Sequence, residues 1–197
     1  MLTREQLKTY HDDGYLLLES FVSPDLLAEL NSVADEFVEE SRHRGTTDRR
    51  FDVEPDHSAE NPRLRRLVSP VDAHETFRKF MQEGLAAEIA MAILGMPVRY
   101  HHSKLNFKWS DGGEEVKWHQ DIQFWPHTDF SPLTIGVYLS DVDDEMGPMG
   151  VIPGSHKGEL FDLYAEDGTW AGAIKEEDVE RVALDKVVWL KGPAGSV

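Results

Sequence analysis

The spacing of the hydrophobic residues changes near Pro97, from the period of an α-helix to the alternation of a β-strand. Before Pro97, apolar residues recur three and four positions apart, as on the buried face of a helix. After it, they occupy every second position, which places them on one face of a strand. Helices followed by a run of strands are typical of an α+β fold. We therefore predict one domain over residues 1–197, helical over about 1–96 and built of strands over about 97–197.

Local signals divide the first part of the chain into three helices. Thr3 begins a capping box, and Gly14 is placed to end the first helix. Ser23, which is followed by a proline, predicts the start of a long second helix. Residues 41–63 are polar and contain glycine and prolines, so they predict a long loop. A third helix is predicted over about 73–94, where a glycine and a proline end it.

Three predicted strands, at residues 98–109, 115–122 and 133–139, each have one polar and one apolar face. Residues 111–113, Asp-Gly-Gly, predict the turn between the first two. The polar face includes Tyr100, His102, Lys104, Asn106, Lys108, Glu115, Lys117, His119, Asp121, Thr134, Gly136 and Tyr138. In an ordinary sandwich that face would meet water. In a double-stranded β-helix, or jelly roll, backed by the N-terminal helices, it would line a functional cavity, and we predict this architecture.

His119 and Asp121 are the residues best placed to bind a metal ion. Side chains alternate along a strand, so these two point to the same side and Gln120 points elsewhere. One imidazole and one carboxylate are two of the three ligands of a 2-His-1-carboxylate facial triad, which suits Fe(II). The alternative is a pair of exposed or mutually paired side chains. The aromatic, proline-containing loop at residues 124–127 favours a site.

The composition excludes several classes of protein. Without cysteine there are no disulfides or cysteine zinc sites, so any metal must be held by His, Asp or Glu. The 20 lysine and arginine residues against 37 aspartate and glutamate residues give a net charge of −17, which argues against nucleic acid as a partner. No run approaches the roughly 18 apolar residues of a membrane helix, and the N-terminus lacks an apolar signal core. We therefore expect a cytoplasmic protein without a membrane partner.

An acidic turn at residues 141–147 precedes a short strand, and a second turn lies within residues 153–158. The acidic residues allow a Ca²⁺ loop, but their spacing matches no EF-hand, so we interpret the turn as solvated. We interpret His156 as a turn residue that makes local hydrogen bonds.

Together these motifs resemble the phytanoyl-CoA dioxygenase superfamily of Fe(II)/2-oxoglutarate-dependent oxygenases. The resemblance rests on residues 118–121, the strand at 133–139, the acidic turn that follows it and residues 151–158. Residues 6–21 are similar too, so nearly the whole chain is covered. Residues 103–108 are similar to the bacterial small-metabolite branch that includes ectoine hydroxylase.

The resemblance implies a role for each polar residue of the site. His119 and Asp121 would be ligands of Fe(II), with O2 and the cosubstrate 2-oxoglutarate at the remaining positions. The implied contacts of 2-oxoglutarate are Tyr138, Asn106, Arg66, Lys104 and Thr134, and the implied pocket residues are Phe124, Trp125 and His102. Simpler roles are open as well: an interior position for Tyr138, a surface charge for Arg66, and charge balance of Glu115 by Lys104 and Lys108.

One departure from the superfamily pattern concerns the third ligand. Members carry a second His on a late strand, followed by an Arg that pairs with 2-oxoglutarate. Residues 191–197 resemble the turn that enters that strand, so we expect both residues, and the last strands, beyond Val197. His102, His127 and His156 are alternative third ligands.

The implied activity is hydroxylation of an unactivated C–H bond of a small-molecule or acyl-type substrate, with succinate and CO2 as co-products. A carboxylate at Asp121 favours hydroxylation or desaturation over halogenation, because related halogenases have a small residue there. One alternative is a non-catalytic jelly-roll module with an incomplete metal site. A hydrolytic zinc enzyme is disfavoured, because no general base is placed beside the pair. The sequence leaves the oligomeric state open.

Overall fold

Helices are concentrated in the first half of the chain, and short strands occur from residue 51 onward. The computed structural model describes residues 1–95, 97–110 and 115–197. Its helices are α1 (Arg4–Asp13), α2 (Pro24–Ser41), α3 (Pro70–Ala73), α4 (Glu75–Arg78) and α5 (Leu85–Leu94), and its strands are β1 (Phe51–Val53), β2 (Leu64–Val68), β3 (Lys104–Asn106), β4 (Met149–Val151) and β5 (Val188–Leu190). This mixture confirms the α+β prediction. Among the helices of these ranges, none is long and apolar enough to cross a membrane.

The first two helices begin and end at the predicted signals. At the start of α1, the Gln6 N–H donates to Thr3 Oγ1 at 3.2 Å, and the Thr3 N–H donates to Gln6 Oε1 at 2.8 Å. Gly14, at φ 81°, ends α1 in the left-handed conformation that glycine adopts without strain. Ser23 Oγ accepts the N–H of Leu26 at 3.4 Å and caps α2. Both helix predictions are confirmed.

The single helix predicted over about 73–94 is wrong, because the structure has several helical pieces there. His74 has an extended backbone, with φ −147° and ψ 141°, which separates α3 from α4. A π-helical turn, Lys79–Glu83, then leads to Gly84, where φ −113° and ψ −143° break the helix again. The predicted end is correct, since α5 stops at Gly95.

β1, β2 and β3 form an antiparallel sheet, and its first two strands were not predicted. Leu64 and Leu67 are both fully buried, although strict alternation would send residues three apart to opposite faces. Leu67 pairs with Phe51 in regular register. Beyond a β-bulge, Leu64 pairs with Val53, so β2 has one more residue than β1 between the two pairs. The bulge turns both leucines toward the core. Because the two leucines are three positions apart, the hydrophobic residues of β2 do not alternate as in a regular strand, and periodicity could not predict this strand.

Asp48 fixes the start of β1. Its Oδ1 accepts the N–H groups of Phe51 at 2.8 Å and Arg50 at 2.7 Å. These bonds, led by that from Phe51, lower the pKa of Asp48 below its usual range. A carboxyl with a lowered folded pKa stabilises the fold above its unfolded pKa of about 3.9, and this contribution is lost as the pH falls through the folded pKa.

We expect Asp48→Ala to lower the free energy of unfolding at neutral pH by about 1 kcal/mol, the usual value of a side-chain cap on backbone N–H groups. The difference from wild type should shrink toward about pH 2, as the wild-type carboxyl takes up protons below its unfolded pKa. Urea unfolding at both pH values measures this. Asp48→Asn is the matched control, because its amide oxygen still accepts the N–H groups but does not titrate. An equal loss for Asp48→Ala at both pH values would contradict the role of the charge.

The predicted strands differ from the regular strands of the structure, but in the first and third of them the predicted alternation of polar and apolar residues is present as alternating exposure and burial. Within residues 98–109 only β3 is a regular strand, and residues 115–118 and 133–139 are not in regular strands. The turn predicted at 111–113 lies outside the described residues. The apolar faces of the first and third predicted strands nevertheless pack against the N-terminal helices, as predicted, whereas Val116 of the second is 74% exposed. Their members Leu105, Phe107, Ile135, Val137 and Leu139 contact a core that includes Leu30, Val33, Phe37, Phe51, Leu64, Leu67 and Phe77.

β4, which was predicted as a short strand, pairs with β5 in a second antiparallel sheet. The residues after β5 pair with the end of the third predicted strand. The Tyr138 N–H donates to the Ser196 oxygen at 2.9 Å, and Val142 exchanges two backbone bonds with Gly192, at 2.9 and 3.0 Å. Pro193 lies between these pairs and has no N–H, so the ladder is interrupted.

Candidate metal site

The imidazole of His119 and the carboxylate of Asp121 converge, as the spacing predicted. His119 Nε2 lies 3.1 Å from Asp121 Oδ1. The two residues do not share one continuous strand, because a 3-10 turn occupies Asp121–Gln123. The strand predicted over 115–122 is therefore wrong, and the pair lies where extended chain enters a turn.

Each member of the pair is oriented by a second hydrogen bond. His119 Nδ1 lies 2.7 Å from the backbone oxygen of Lys117, so Nδ1–H donates to that carbonyl and Nε2 faces Asp121. Thr134 Oγ1 donates to Asp121 Oδ2 at 2.9 Å, which leaves Oδ1 toward His119. Histidine and carboxylate ligands in metalloproteins are held by outer partners of this kind. Solvent still reaches the pair, since 29% of the His119 side chain and 52% of the Asp121 side chain are exposed.

The hydrogen bond within the pair shifts both pKa values. It raises the pKa of His119 and lowers the pKa of Asp121, and burial opposes the shift in each case. The hydrogen bond therefore favours the charged form of each group.

The separation of the two donor atoms is compatible with their binding one divalent cation together. Nitrogen and oxygen ligands that bind one ion at about 2.1 Å and at a right angle are about 3.0 Å apart. The observed 3.1 Å between His119 Nε2 and Asp121 Oδ1 matches this geometry. The donor set suits Fe(II). Within residues 1–95, 97–110 and 115–197, no group of three His, Asp or Glu side chains could hold a metal ion.

The three histidines considered as third ligands have other partners. His102 Nδ1 lies 2.7 Å from His101 Nδ1. The ring of His127 also lies beside His101, with 6.2 Å between centroids. His156 Nε2 donates to the backbone oxygen of His11 at 3.2 Å, at the end of α1. The prediction of local hydrogen bonds for His156 is wrong, because its partner belongs to a distant helix.

Arg66, Asn106 and Lys104 share one face of the first sheet. Arg66 lies directly opposite Asn106 in the antiparallel register, so their side chains point to the same side. Lys104 is two positions before Asn106 in β3 and shares that side. Arg66 lies 40 positions before Asn106 in the sequence, and the pairing of β2 with β3 brings the two residues together.

The two cations of this face have no ion-pair partner among the described carboxylates. Burial, followed by the charge of Arg66, lowers the pKa of Lys104, while Asp121 acts in the opposite direction. The ammonium of Lys104 is therefore close enough to Arg66 and Asp121 for the charge of each to shift its pKa. The Nε of Arg66 is buried without a hydrogen-bond partner in the described chain. Lys108 donates to the backbone oxygen of Gly147.

Aromatic rings stand on one side of the pair. Phe124 lies edge-on to His119, with 5.3 Å between centroids, and Trp170 lies edge-on to Phe124 at 5.2 Å. The centroid of the Trp125 ring lies 5.7 Å from that of Phe124. The ammonium of Lys104 also lies 5.7 Å from the Trp125 centroid. Phe124 and Trp125 were predicted as pocket residues; Phe124 lies beside His119, and Trp125 lies beside Phe124.

His102 contacts the same aromatic group, with its ring centroid 4.3 Å from that of Trp125. Sequence reasoning missed Trp170 and Tyr164, whose rings lie 5.0 Å apart. A signal was present, because residues 165–169 contain an Asp-Gly turn between these two aromatic residues, which is typical of a hairpin. The hairpin brings Trp170 to Phe124.

Tyr138 is engaged by the second sheet. Its hydroxyl donates to the backbone oxygen of Leu190 at 2.7 Å. Burial raises the pKa of Tyr138. This contact is compatible with the simpler of the two predicted roles, an interior position for Tyr138.

The polar face is more open than predicted. Lys104, Asn106 and Thr134 are all exposed to solvent. The expectation that the face lines a cavity is therefore not confirmed: rings stand beside the pair, while Lys104, Asn106 and Thr134 meet water.

Comparison with known proteins decides the family. The family model described as phytanoyl-CoA dioxygenase (PhyH) matches residues 10–197. A probable alpha-ketoglutarate-dependent hypophosphite dioxygenase from Stutzerimonas stutzeri is 31% identical over 196 residues, which are 98% of this chain and 68% of that protein. The chain belongs to the phytanoyl-CoA dioxygenase family. The predicted superfamily is confirmed.

The names of other relatives refer to small molecules that differ from hypophosphite. An ectoine dioxygenase from Sphingopyxis alaskensis is 27% identical over 185 residues, which are 90% of this chain and 58% of that protein. The L-proline trans-4-hydroxylase of Streptomyces griseoviridis is 38% identical over 152 residues, which are 68% of this chain and 56% of that protein. The matches thus span little more than half the length of these two family members.

A solved structure supports the same relationship. The crystal structure of EctD from S. alaskensis with bound Fe has a TM-score of 0.78 at 26% identity, and the match covers 99% of this chain and 66% of that chain. A structure of EctD with 2-oxoglutarate and 5-hydroxyectoine has a TM-score of 0.71 at 23% identity, which bears on the fold alone.

In this family member, Thr134→Val should weaken metal binding by about tenfold, because losing an outer partner of a metal ligand costs 10–100-fold in affinity. Valine keeps the shape of threonine but removes the Oγ1–H that holds Asp121 Oδ2. Titration with Co(II), followed by visible absorption, measures the affinity. Thr46→Val, in the exposed loop before β1, is the control. Equal affinity in Thr134→Val and wild type would show that Thr134 does not orient the carboxylate.

Proposed function

We propose that this chain carries the catalytic centre of an Fe(II)/2-oxoglutarate-dependent oxygenase. It hydroxylates an unactivated C–H bond of a small-molecule substrate and forms succinate and CO2. The observation that carries the proposal is the separation of 3.1 Å between His119 Nε2 and Asp121 Oδ1, each held in place by a second hydrogen bond. The names of the relatives, an alpha-ketoglutarate-dependent dioxygenase and ectoine dioxygenases, support the same chemistry.

His119 and Asp121 would hold Fe(II), which when bound supplies the activation of O2 that oxidises a C–H bond. The carbonyl of Lys117 selects the tautomer that presents Nε2 to the ion. Thr134 keeps the carboxylate from rotating. The protein thereby fixes two coordination positions and leaves the others to cosubstrate, O2 and a further ligand.

Arg66 and Lys104 would bind 2-oxoglutarate, which carries two negative charges. Both cations lie on one face and lack ion-pair partners among the described residues, so an anion would gain two charge-assisted contacts there. Asn106 lies opposite Arg66 and offers an amide to the same ligand. Thr134 lies close enough to Asp121 to meet the cosubstrate as well. Tyr138 as a further contact stays a prediction.

Phe124, Trp125 and His102 would form one side of the substrate pocket, with Trp170 beside them. Rings of this kind pack against apolar carbon, while the imidazole can donate or accept a hydrogen bond. Hypophosphite, ectoine and L-proline, which the names of the relatives state, are small and polar. We therefore favour a small polar substrate over a long acyl chain.

We further propose that both sheets belong to one jelly-roll domain that the N-terminal helices back. Packing of Ile135, Val137 and Leu139 against the helical core supports this arrangement. The TM-score of 0.78 with EctD over 99% of the chain supports it as well.

Anaerobic addition of Fe(II) and 2-oxoglutarate to the purified chain tests the function. We expect a visible charge-transfer band in the wild type and none in His119→Ala, followed by succinate release on exposure to air with ectoine or L-proline as trial substrates. A wild type without the band, or an unchanged band in His119→Ala, would overturn the proposal. A non-catalytic ligand-binding module predicts neither metal uptake nor succinate, so metal analysis of the same sample distinguishes it.

A further inference from the structure

Gln120 lies between the two proposed ligands, and its side chain binds the backbone of another segment. Its Nε2 donates to the oxygen of Glu159 at 2.8 Å, and its Oε1 accepts the N–H of Phe161 at 2.9 Å. Gln123 adds a neighbouring bond, from its Nε2 to the oxygen of Phe161 at 2.6 Å. The side-chain amide of Gln120 thus bonds to one backbone oxygen and one backbone N–H of the same segment, as the backbone of a neighbouring strand would.

We call residues 159–174 the wall segment. Its first residues, Glu159 and Phe161, are the ones that Gln120 contacts. Phe161 and Leu163 bury their side chains, which anchors its first part. The oxygen of Leu163 accepts the N–H groups of Ala171 and Gly172, both at 3.1 Å, and so closes the hairpin that carries Trp170. The wall segment therefore presents Trp170 from a closed hairpin and not from a free loop.

The wall segment is fastened to the ligand motif at both ends. Gln120 and Gln123 hold its start. At its end, the N–H of Ile174 donates to the oxygen of Trp118 at 2.8 Å. Residues 118–123 thus carry the proposed ligands on one side and the wall segment on the other.

We propose that Gln120 is a positioning residue that sets Trp170, through the wall segment, relative to His119 and Asp121. This role rests on the proposed function, in which Trp170 borders the substrate pocket. The amide suits it because it offers one donor and one acceptor. A carboxylate at this position accepts from Phe161 but faces the oxygen of Glu159 without a proton, and an alkyl group satisfies neither partner.

The variants Gln120→Leu and Gln120→Glu test this role in the full chain, with Gln82→Leu at an exposed position of the π-helical turn as the matched control. Hydrogen exchange, read by mass spectrometry, follows the backbone of the wall segment. Visible absorption of the Co(II)-loaded protein follows the geometry of the ligand pair, and titration gives the Co(II) affinity.

In Gln120→Leu we expect amide exchange in the wall segment to accelerate by about tenfold, the effect of losing about one net hydrogen bond, with a smaller increase in Gln120→Glu. The Co(II) band should change position or intensity in both variants, while the Co(II) affinity stays within about threefold of wild type because both ligands are retained. Gln82→Leu should change none of these.

Unchanged exchange in the wall segment, or an unchanged Co(II) band despite faster exchange, would overturn the positioning role. A wild type that takes up no Co(II) would instead refute the proposed function, so the two failures are distinguishable. Should Gln120→Leu fail to fold, Gln120→Glu, which keeps the contact with Phe161, decides by the same readouts.

Discussion

Replacing His119 by alanine should reduce the affinity for Co(II) by at least about a hundredfold, the upper end of what the loss of an outer partner alone would cost. The proposed ligand pair consists of one imidazole nitrogen and one carboxylate oxygen, 3.1 Å apart. Alanine removes the nitrogen donor altogether. The variant should stay folded, since His119 is partly exposed and does not belong to the buried core.

Titration with Co(II) under identical conditions measures the effect, and His43→Ala at an exposed position after α2 is the matched control. Asp121→Asn should also lose most of the affinity, because the neutral amide oxygen is a weaker ligand than a carboxylate oxygen. Equal Co(II) affinity in His119→Ala and His43→Ala would place the metal elsewhere. Loss in His119→Ala but not in Asp121→Asn would leave the histidine as a ligand and remove the carboxylate.

The convergence of the His119 and Asp121 side chains could be predicted because its geometry is local. His119 and Asp121 are two positions apart, so extended chain brings them to one side whichever strand they pair with. The helix caps at Thr3 and Ser23 were predicted for the same reason, since each depends on a residue three positions away. Predictions that depended on a few neighbouring residues therefore succeeded.

Predictions failed where distant parts of the chain decide the structure. The bulge in β2 places Leu64 and Leu67 on one face, and its pairing with β1 is invisible in a periodicity. Gly84 breaks a helix that hydrophobic spacing alone would continue. The partners of Gln120 lie about forty positions further on, at Glu159 and Phe161, so the sequence showed only that this side chain points away from the ligands.

Replacing Arg66 by methionine should weaken 2-oxoglutarate binding by about thirtyfold, because a hydrogen bond to a charged group contributes about 2 kcal/mol. Methionine keeps much of the length and the apolar contacts of arginine but removes the charge. Arg66 lies on β2, opposite Asn106, so the substitution leaves both proposed metal ligands in place. Lys104→Met should have a smaller effect, because an ammonium cannot form the bidentate contact of a guanidinium with a carboxylate.

Titration of the Co(II)-loaded chain with 2-oxoglutarate measures this affinity, and Arg49→Met, an exposed arginine before β1, is the matched control. Added salt should weaken binding more in wild type than in Arg66→Met, since the lost contact is electrostatic. Equal 2-oxoglutarate affinity in Arg66→Met and Arg49→Met would refute the contact. A parallel loss of Co(II) affinity would show that Arg66 supports the sheet instead, because a residue that contacts only the cosubstrate leaves the metal pair unchanged.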